Sequence, residues 1–276
     1  MTASLPGAGA LRAALARHGV TPTKALGQNF VIDPNTIRRV VDAAGLEGRE
    51  RVLEVGAGAG SLTLALARAA AQVVAVEIDG ALLPVLEETL RGVDNVCVRH
   101  ADALEIDLAS TGAERLVGNL PYAIATTLVV KALSSAPAIA SLTVMTQKEV
   151  GDRLTARPGS DGYGPVSVLV ALHAHARVAL RVSRRAFYPV PGVDSVVVRI
   201  DRREDAPVAD PEGVARVVRA AFSQRRKTLR NAIAPLAGSA RAAEAALRRA
   251  GIEPRARAEA VGVDGFVALA RALRTG

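Results

Sequence analysis

Between Arg51 and Thr146 the chain alternates short β-rich runs with longer stretches of helical spacing, and no other feature restricts its fold so strongly. Residues 51–55, 72–77, 95–99, 114–118 and 141–146 read as strands, and 61–70, 80–91 and 124–133 as the helices between them. Strand–helix–strand succession implies parallel strands joined by crossover helices. Two further runs, 177–182 and 195–200, lie too close in sequence for a crossover helix, so they predict an antiparallel hairpin at the sheet edge. The stretch 201–211 is polar, charged and bounded by proline, and beyond it only helical patterns follow, at 214–222, 226–236, 240–250 and 265–273. The expected fold class is α/β: a Rossmann-like sheet domain over residues 1–203 and a small all-α domain over 204–276.

Composition narrows the function classes. Half of the 276 residues are apolar and 22% are charged, enough for a full core and incompatible with a disordered chain. The one cysteine, Cys97, excludes an internal disulfide and a cysteine-based zinc site, and a reducing cytoplasm is expected. No apolar run approaches the roughly 18 residues of a membrane span, and the N-terminal residues lack a secretory pattern. Charge is uneven: residues 1–180 carry 16 Lys/Arg against 17 Asp/Glu, whereas 181–276 carry 19 against 10. A basic excess confined to one part of a chain suggests a nucleic-acid partner held there. The four histidines show no metal-ligand spacing, and no metal is expected.

The first strand runs into Glu54-Val-Gly56-Ala-Gly58-Ala-Gly60 and then a helix. Glycines at Gly56 and Gly58 allow a sharp turn and close approach of backbone to a ligand. The second strand ends in Glu77, suited to accept hydrogen bonds from both ribose hydroxyls, and Asp102 follows the third strand, where it can bond an adenine amino group. A dinucleotide fingerprint would read Gly-x-Gly-x-x-Gly facing a pyrophosphate. Here a carboxylate leads the turn, which favours the cationic end of S-adenosylmethionine.

The fourth strand leads into Asn119-Leu120-Pro121-Tyr122. Methylating an exocyclic amine requires the nitrogen lone pair to leave ring conjugation and point at the methyl group. The side-chain carbonyl of Asn119 and the backbone carbonyl of Leu120 can accept its two N–H groups and hold that orientation. Pro121 fixes the backbone, and Tyr122 can stack on the base, worth about 1–3 kcal/mol. Phe187 lies in Phe-Tyr-Pro-Val-Pro, where prolines favour an extended loop and leave the ring as a second wall for a flipped base.

These motifs, together with Lys24-Ala-Leu-Gly-Gln-Asn29-Phe30-Val31, Gln147-Lys-Glu149, Tyr163-Gly164, Phe187-Tyr-Pro-Val-Pro-Gly-Val-Asp-Ser195 and Phe222-Ser-Gln-Arg-Arg-Lys-Thr-Leu-Arg-Asn231, span nearly the whole chain. In order and spacing the chain resembles the ribosomal RNA adenine dimethyltransferases, the family of the bacterial kasugamycin-sensitivity enzyme. The resemblance implies a seven-stranded class I methyltransferase sheet with a small helical C-terminal domain. It also implies transfer of four methyl groups from S-adenosylmethionine to two adjacent adenosines near the 3′ end of 16S rRNA, in the small ribosomal subunit. Carried over, the cofactor contacts are Asn29, Val31, Gly56, Gly58, Glu77, Asp102 and Asn119, and the base lies against Tyr122 and Phe187. Val31 replaces a usual leucine and Ala123 a frequent asparagine. A basic set, Arg225, Arg226, Lys227 and Arg230, falls within two turns of one expected helix, where Arg226 and Arg230 share a face able to track RNA phosphates.

The rival readings are a small-molecule methyltransferase, a DNA adenine methyltransferase, a non-catalytic RNA-binding assembly factor, and the sister group that methylates 23S rRNA. The first needs neither Asn-Leu-Pro-Tyr nor a basic module, and the second needs a larger target-reading domain. An intact Gly56, Glu77 and Asn119 argue against the third, and Tyr163-Gly164 with the Phe222 to Asn231 segment disfavours the fourth. A monomer is expected, with no membrane or DNA partner.

Overall fold

The computed structural model describes residues 5–23, 27–204, 208–224 and 227–274. They form two compact units. One comprises the described residues up to Gly151 together with Ala176–Arg202, and the other Asp152–His175 with the described residues from Arg203 onward.

The first unit opens with α1 (Ala8–Arg17), β1 (Phe30–Val31) and α2 (Pro34–Ala44). Asp33 caps α2 by accepting from the Asn35 and Thr36 backbone N–H groups, Pro34 takes the first helical position, and Gly45 ends the helix at φ 57°. The expected alternation follows as β2 (Arg51–Val55), α3 (Ser61–Ala69), β3 (Gln72–Glu77), α4 (Leu83–Thr89), β4 (Val96–His100), β5 (Arg115–Asn119), α5 (Ala125–Ser135) and β6 (Ser141–Gln147). After α6 (Lys148–Thr155) and α7 (Pro165–His173) the chain returns as β7 (Ala174–Val182), β8 (Phe187–Tyr188) and β9 (Ser195–Arg202).

The main sheet has seven strands in the order β4-β3-β2-β5-β6-β9-β7. β4 to β6 are parallel in the expected way, and β9 joins β6 antiparallel, with Gln147 opposite Ser195. The last two strands are neighbours, as the sequence suggests, with β7 outermost. β2 and β3 are buried along almost their whole length, which accounts for their continuous apolar runs, since sheets covered on both faces do not alternate. Strand order reverses direction between β3–β2 and β2–β5, and the crevice beyond the carboxyl ends of those strands is the switch point where such sheets bind ligands. A second, two-stranded sheet pairs β1 with β8, placing Phe30 opposite Tyr188 and Val31 opposite Phe187.

The second unit contains α7, α8 (Pro211–Phe222), α9 (Leu229–Ala237), α10 (Ala240–Arg249) and α11 (Val263–Arg274). Its core gathers Val214, Leu229, Ile233, Leu247 and Phe266 with Tyr163, Val168 and Leu172. Phe222 packs its ring against both Tyr163 and Phe266, at 6.2 and 5.9 Å between centroids. The expected boundary near residue 203 is therefore one of three places where the chain changes unit. Residues 152–175 go with the helices because their apolar side chains are buried there and the Tyr163 hydroxyl donates to the Val261 carbonyl at 2.8 Å.

The expected helix at 226–236 begins later, at Leu229, with Thr228 at the N-cap position and no side-chain capping bond. Lys227 precedes the helix and is exposed, and Arg225 and Arg226 lie outside the described residues. Arg230 is on the helix, where its guanidinium meets Glu244 at 3.4 Å. The single basic helix face drawn from the sequence is thus corrected: of its described members only Arg230 is helical, and it is paired.

Candidate active site

The carboxyl ends of β2, β3, β4 and β5 converge on a cavity of about 370 Å³ lined by Gly56, Gly58, Glu77, Asp102, Asn119 and Tyr122, among others. Chain reversal at the end of β2 depends on glycine. Gly56 has φ 77° and Gly58 φ 58°, in the left-handed region, and a Cβ on Gly58 would come within 3.0 Å of the Phe30 ring. A Cβ on Gly56 would come within 3.4 Å of the Asn119 carbonyl oxygen, so the glycine turn and the Asn119 strand end approach backbone to backbone.

Glu77 closes the floor. One carboxylate oxygen accepts the Gly58 N–H at 2.7 Å and the other the Asp79 N–H at 2.9 Å. Burial pushes its pKa up despite these donors. The two bonds fix the carboxylate plane and leave further lone pairs for a diol. Asp102 accepts the Leu104 N–H at 2.8 Å, which holds the loop after β4 in a tight turn. That loop is further clamped by Lys131 of α5, whose ammonium donates to the carbonyls of Leu104 at 2.6 Å and Ile106 at 2.7 Å.

The opposite wall is the Asn119-Leu120-Pro121-Tyr122 segment together with residues 27–30. Asn119 donates its side-chain Nδ2 to the Asn29 carbonyl at 2.8 Å, so the amide oxygen is the end left for a substrate. The Leu120 N–H donates to the Met145 carbonyl at 2.9 Å, and the Pro121 carbonyl accepts the Ile124 N–H at 3.1 Å, anchoring the tetrapeptide on both sides. Tyr122 is half-buried, with its hydroxyl hydrogen-bonded to Ser195. Gln28 donates to Asp79 at 2.6 Å, tying the N-terminal wall to the end of β3.

Three sequence readings change here. Val31 does not line the cavity; it is buried in the core with Phe187, its partner across β1 and β8. Phe187 is 1% exposed and presents no face to the cavity, because the two-stranded sheet turns it inward. Glu54, expected to lead the turn toward a cation, is wholly buried behind it with neither carboxylate oxygen hydrogen-bonded. The structure adds Gln28, Ile78 and Ala103 to the lining. Ile78 directly follows Glu77 and is 48% exposed, an apolar side chain at a strand end that periodicity alone could have marked.

Residues 21–274 match the family model described as ribosomal RNA adenine dimethylase. The chain belongs to that family. Proteins named ribosomal RNA small subunit methyltransferase A share 43% identity in Geobacillus thermodenitrificans and 47% in Thermobifida fusca, each match covering 94% of this chain and 93% of the relative. Among solved structures, the dimethyladenosine transferase from Plasmodium falciparum superposes with a TM-score of 0.76 at 24% identity, over 86% of this chain and 94% of that one. The 23S rRNA methyltransferase ErmE gives 0.69 at 32% identity, over 89% and 100%. The ribosomal RNA adenine dimethylase family gives the chain its enzyme class, methyltransferase, and the seven-stranded sheet is the class I methyltransferase fold.

Proposed function

We propose that this protein transfers methyl groups from S-adenosylmethionine to the exocyclic amine of two adjacent adenosines near the 3′ end of 16S rRNA, during small-subunit biogenesis. The observation that carries the reading is the shared cavity. Gly56, Gly58, Glu77 and Asp102 line one side, and Asn119 to Tyr122 line the other. The donor set fits S-adenosylmethionine: two glycines permit backbone approach, a buried carboxylate with fixed geometry suits a ribose diol, and Ile78 and Ala103 offer apolar surface to an adenine ring. When bound, S-adenosylmethionine supplies an electrophilic methyl group on a sulfonium with a strong leaving group.

The chain's own part is positioning. The Asn119 amide oxygen and the Leu120 carbonyl accept the two amine N–H groups, which turns the nitrogen lone pair out of the ring and toward the methyl position. The amine acquires positive charge as it attacks, and those two acceptors stabilise it. The proton is lost to water afterwards, so no buried general base is needed. Tyr122 stacks on the flipped base, held in place through its hydroxyl by Ser195. Relatives at 43% and 47% identity named for the small subunit support it as the source of the RNA, against 32% for the 23S rRNA enzyme.

The test is methylation with labelled cofactor of undermethylated small subunits, large subunits and naked RNA, followed by mapping of the modified bases. Two adjacent dimethyladenosines in the small subunit are expected. Asn119→Ala lowers the single-turnover rate at least about 100-fold, as for loss of one preorganised contact at a reacting centre, while particle binding holds. Preferential labelling of large subunits, or a normal rate in Asn119→Ala, overturns the assignment.

A further inference from the structure

Between Asp161 and Asp194 the chain has no acidic residue, yet it carries Arg177, Arg181, Arg184 and Arg185. All four belong to the unit that holds the cavity, not to the helical unit. All four are exposed, and none of their guanidinium groups meets a carboxylate among the described residues. Arg184 alone donates from its side chain, weakly, to the Gly192 carbonyl at 3.4 Å. Exposed arginines elsewhere divide: Arg49 pairs with Glu47, Arg257 with Glu259 and Arg274 with Asp210, whereas Arg39, Arg91 and Arg241 make no ion pair among the described residues, so what sets these four apart is that they cluster. The Asp194 carboxylate, which accepts the Arg184 backbone N–H at 2.9 Å, offsets part of this charge; four clustered cations still repel one another, and a polyanion relieves that repulsion.

Their placement is ordered. β7 is the outermost strand of the sheet. Val182 is buried in the core and Leu180 packs against it, so the odd-numbered positions of β7 face outward. Arg177 and Arg181 therefore share the outer face about 13 Å apart, at roughly 3.3 Å per residue. The row continues onto the turn Arg184–Ala186, which leads directly into β8. The Ala186 carbonyl accepts the Ile32 N–H, and β8 pairs with β1 beside Asn29, the residue that fixes the Asn119 amide. The loop after β8 ends at Ser195, which holds the Tyr122 hydroxyl. The cation row thus runs continuously into both segments that flank the base side of the cavity.

We infer that Arg177, Arg181, Arg184 and Arg185 form an RNA phosphate-binding row on the catalytic unit, gripping the strand next to the adenosine being methylated. This rests on the proposed RNA substrate and extends it. Arginine on an edge strand also discourages edge-to-edge pairing between copies, so the experiment separates the two roles. Binding of undermethylated small ribosomal subunits is measured across a salt series for the wild type, for Arg184→Gln/Arg185→Gln, and for the fourfold Arg→Gln variant. Each lost phosphate contact flattens the dependence of log affinity on log salt by about 0.7 to 0.9. The double variant is expected to lose one to two such contacts and the fourfold variant more, with thermal melting and S-adenosylmethionine titration unchanged.

An unaltered salt slope in both variants overturns the inference, the more so if light scattering shows the fourfold variant self-associating, because the row is then an edge guard. The double variant keeps β7 intact and decides the matter should the fourfold variant misfold. If the wild type binds no RNA particle, the proposed function itself fails, a result distinct from either.

Discussion

A carboxyl group with both oxygens buried and unpartnered is rare, and Glu54 is such a group. Burial pushes its pKa up to about 8, the neighbouring charge of Glu77 pushes the same way, and the Thr63 hydroxyl opposes it. The Thr63 oxygen is itself left without a well-formed hydrogen bond, so that opposition is too weak to hold Glu54 ionised. Because the folded value lies above the ordinary 4.5, the unfolded chain gives up this proton first as pH rises. Stability from this site is full below pH 4.5 and lost progressively up to about pH 8. Glu54→Gln, neutral and equal in size, should flatten that decline and leave the variant more stable than wild type at pH 8 by several kcal/mol, since each tenfold change in proton affinity is worth about 1.4 kcal/mol. Glu77, also raised by burial, retains a residual slope. Urea melts at pH 5 and pH 8 check this, and a variant declining as steeply as wild type would place the titration elsewhere. The sequence put a carboxylate at this position but could not show which side of the strand it took. The same blindness affected Phe187: its prolines were visible, whereas its strand partner Val31 lies far away in the chain and no local signal announces it.

Secondary elements were legible in proportion to how local their causes are. β2 and β3 appear as apolar runs because they are buried along almost their whole length, while β4, largely exposed at the sheet edge, is marked by its β-branched residues, and the glycine turn follows β2 as expected. α2 carried a readable start in Asp33-Pro34 and a readable stop in Gly45, and those signals alone would have found it. β1 and β8 have two residues each and exist only through one another, so no pattern marks them. Lys131 belongs to the same class. On α5 it reads as an ordinary surface cation, but its ammonium bonds two carbonyls at 2.6 and 2.7 Å and so splints the loop that presents Asp102. Lys131→Met keeps the stem and removes the donors. Loss of charged hydrogen bonds of about 1.5–3 kcal/mol, partly recovered by water, should weaken S-adenosylmethionine binding about tenfold while melting changes little. Calorimetric titration decides it: unchanged affinity would mean the loop holds its shape unaided.

At the scale of the molecule, the basic excess of residues 181–276 is not the property of one module. Arg181, Arg184 and Arg185 fall in the sheet unit, and the helical unit neutralises part of its own charge through Arg230–Glu244, Arg248–Glu244 and Arg274–Asp210. Charge arithmetic on a sequence counts residues and misses such pairing. A difference between two neighbours follows. Lys227 is exposed and makes no ion pair among the described residues, so Lys227→Glu should flatten the salt dependence of RNA-particle binding by about 0.7 to 0.9. Arg230→Glu should change that slope less, since the wild-type charge is already shared with Glu244. Equal effects from both substitutions would show that the Arg230 pair opens when RNA binds.

The route of the chain between its two units also sets how the protein can be cut and recombined. Residues 152–175 leave the sheet after β6 and return at the start of β7, and β9, made later still, is inserted between those two strands. A truncation at residue 203 would keep all seven strands but strand Tyr163, Val168 and Leu172 without the side chains that cover them. A chimera that exchanges the helical unit between family members must therefore carry two segments across together, 152–175 and 203–276. The same interleaving delays assembly on the ribosome: the sheet cannot fill its gap beside β6 until Ser195–Arg202 has emerged.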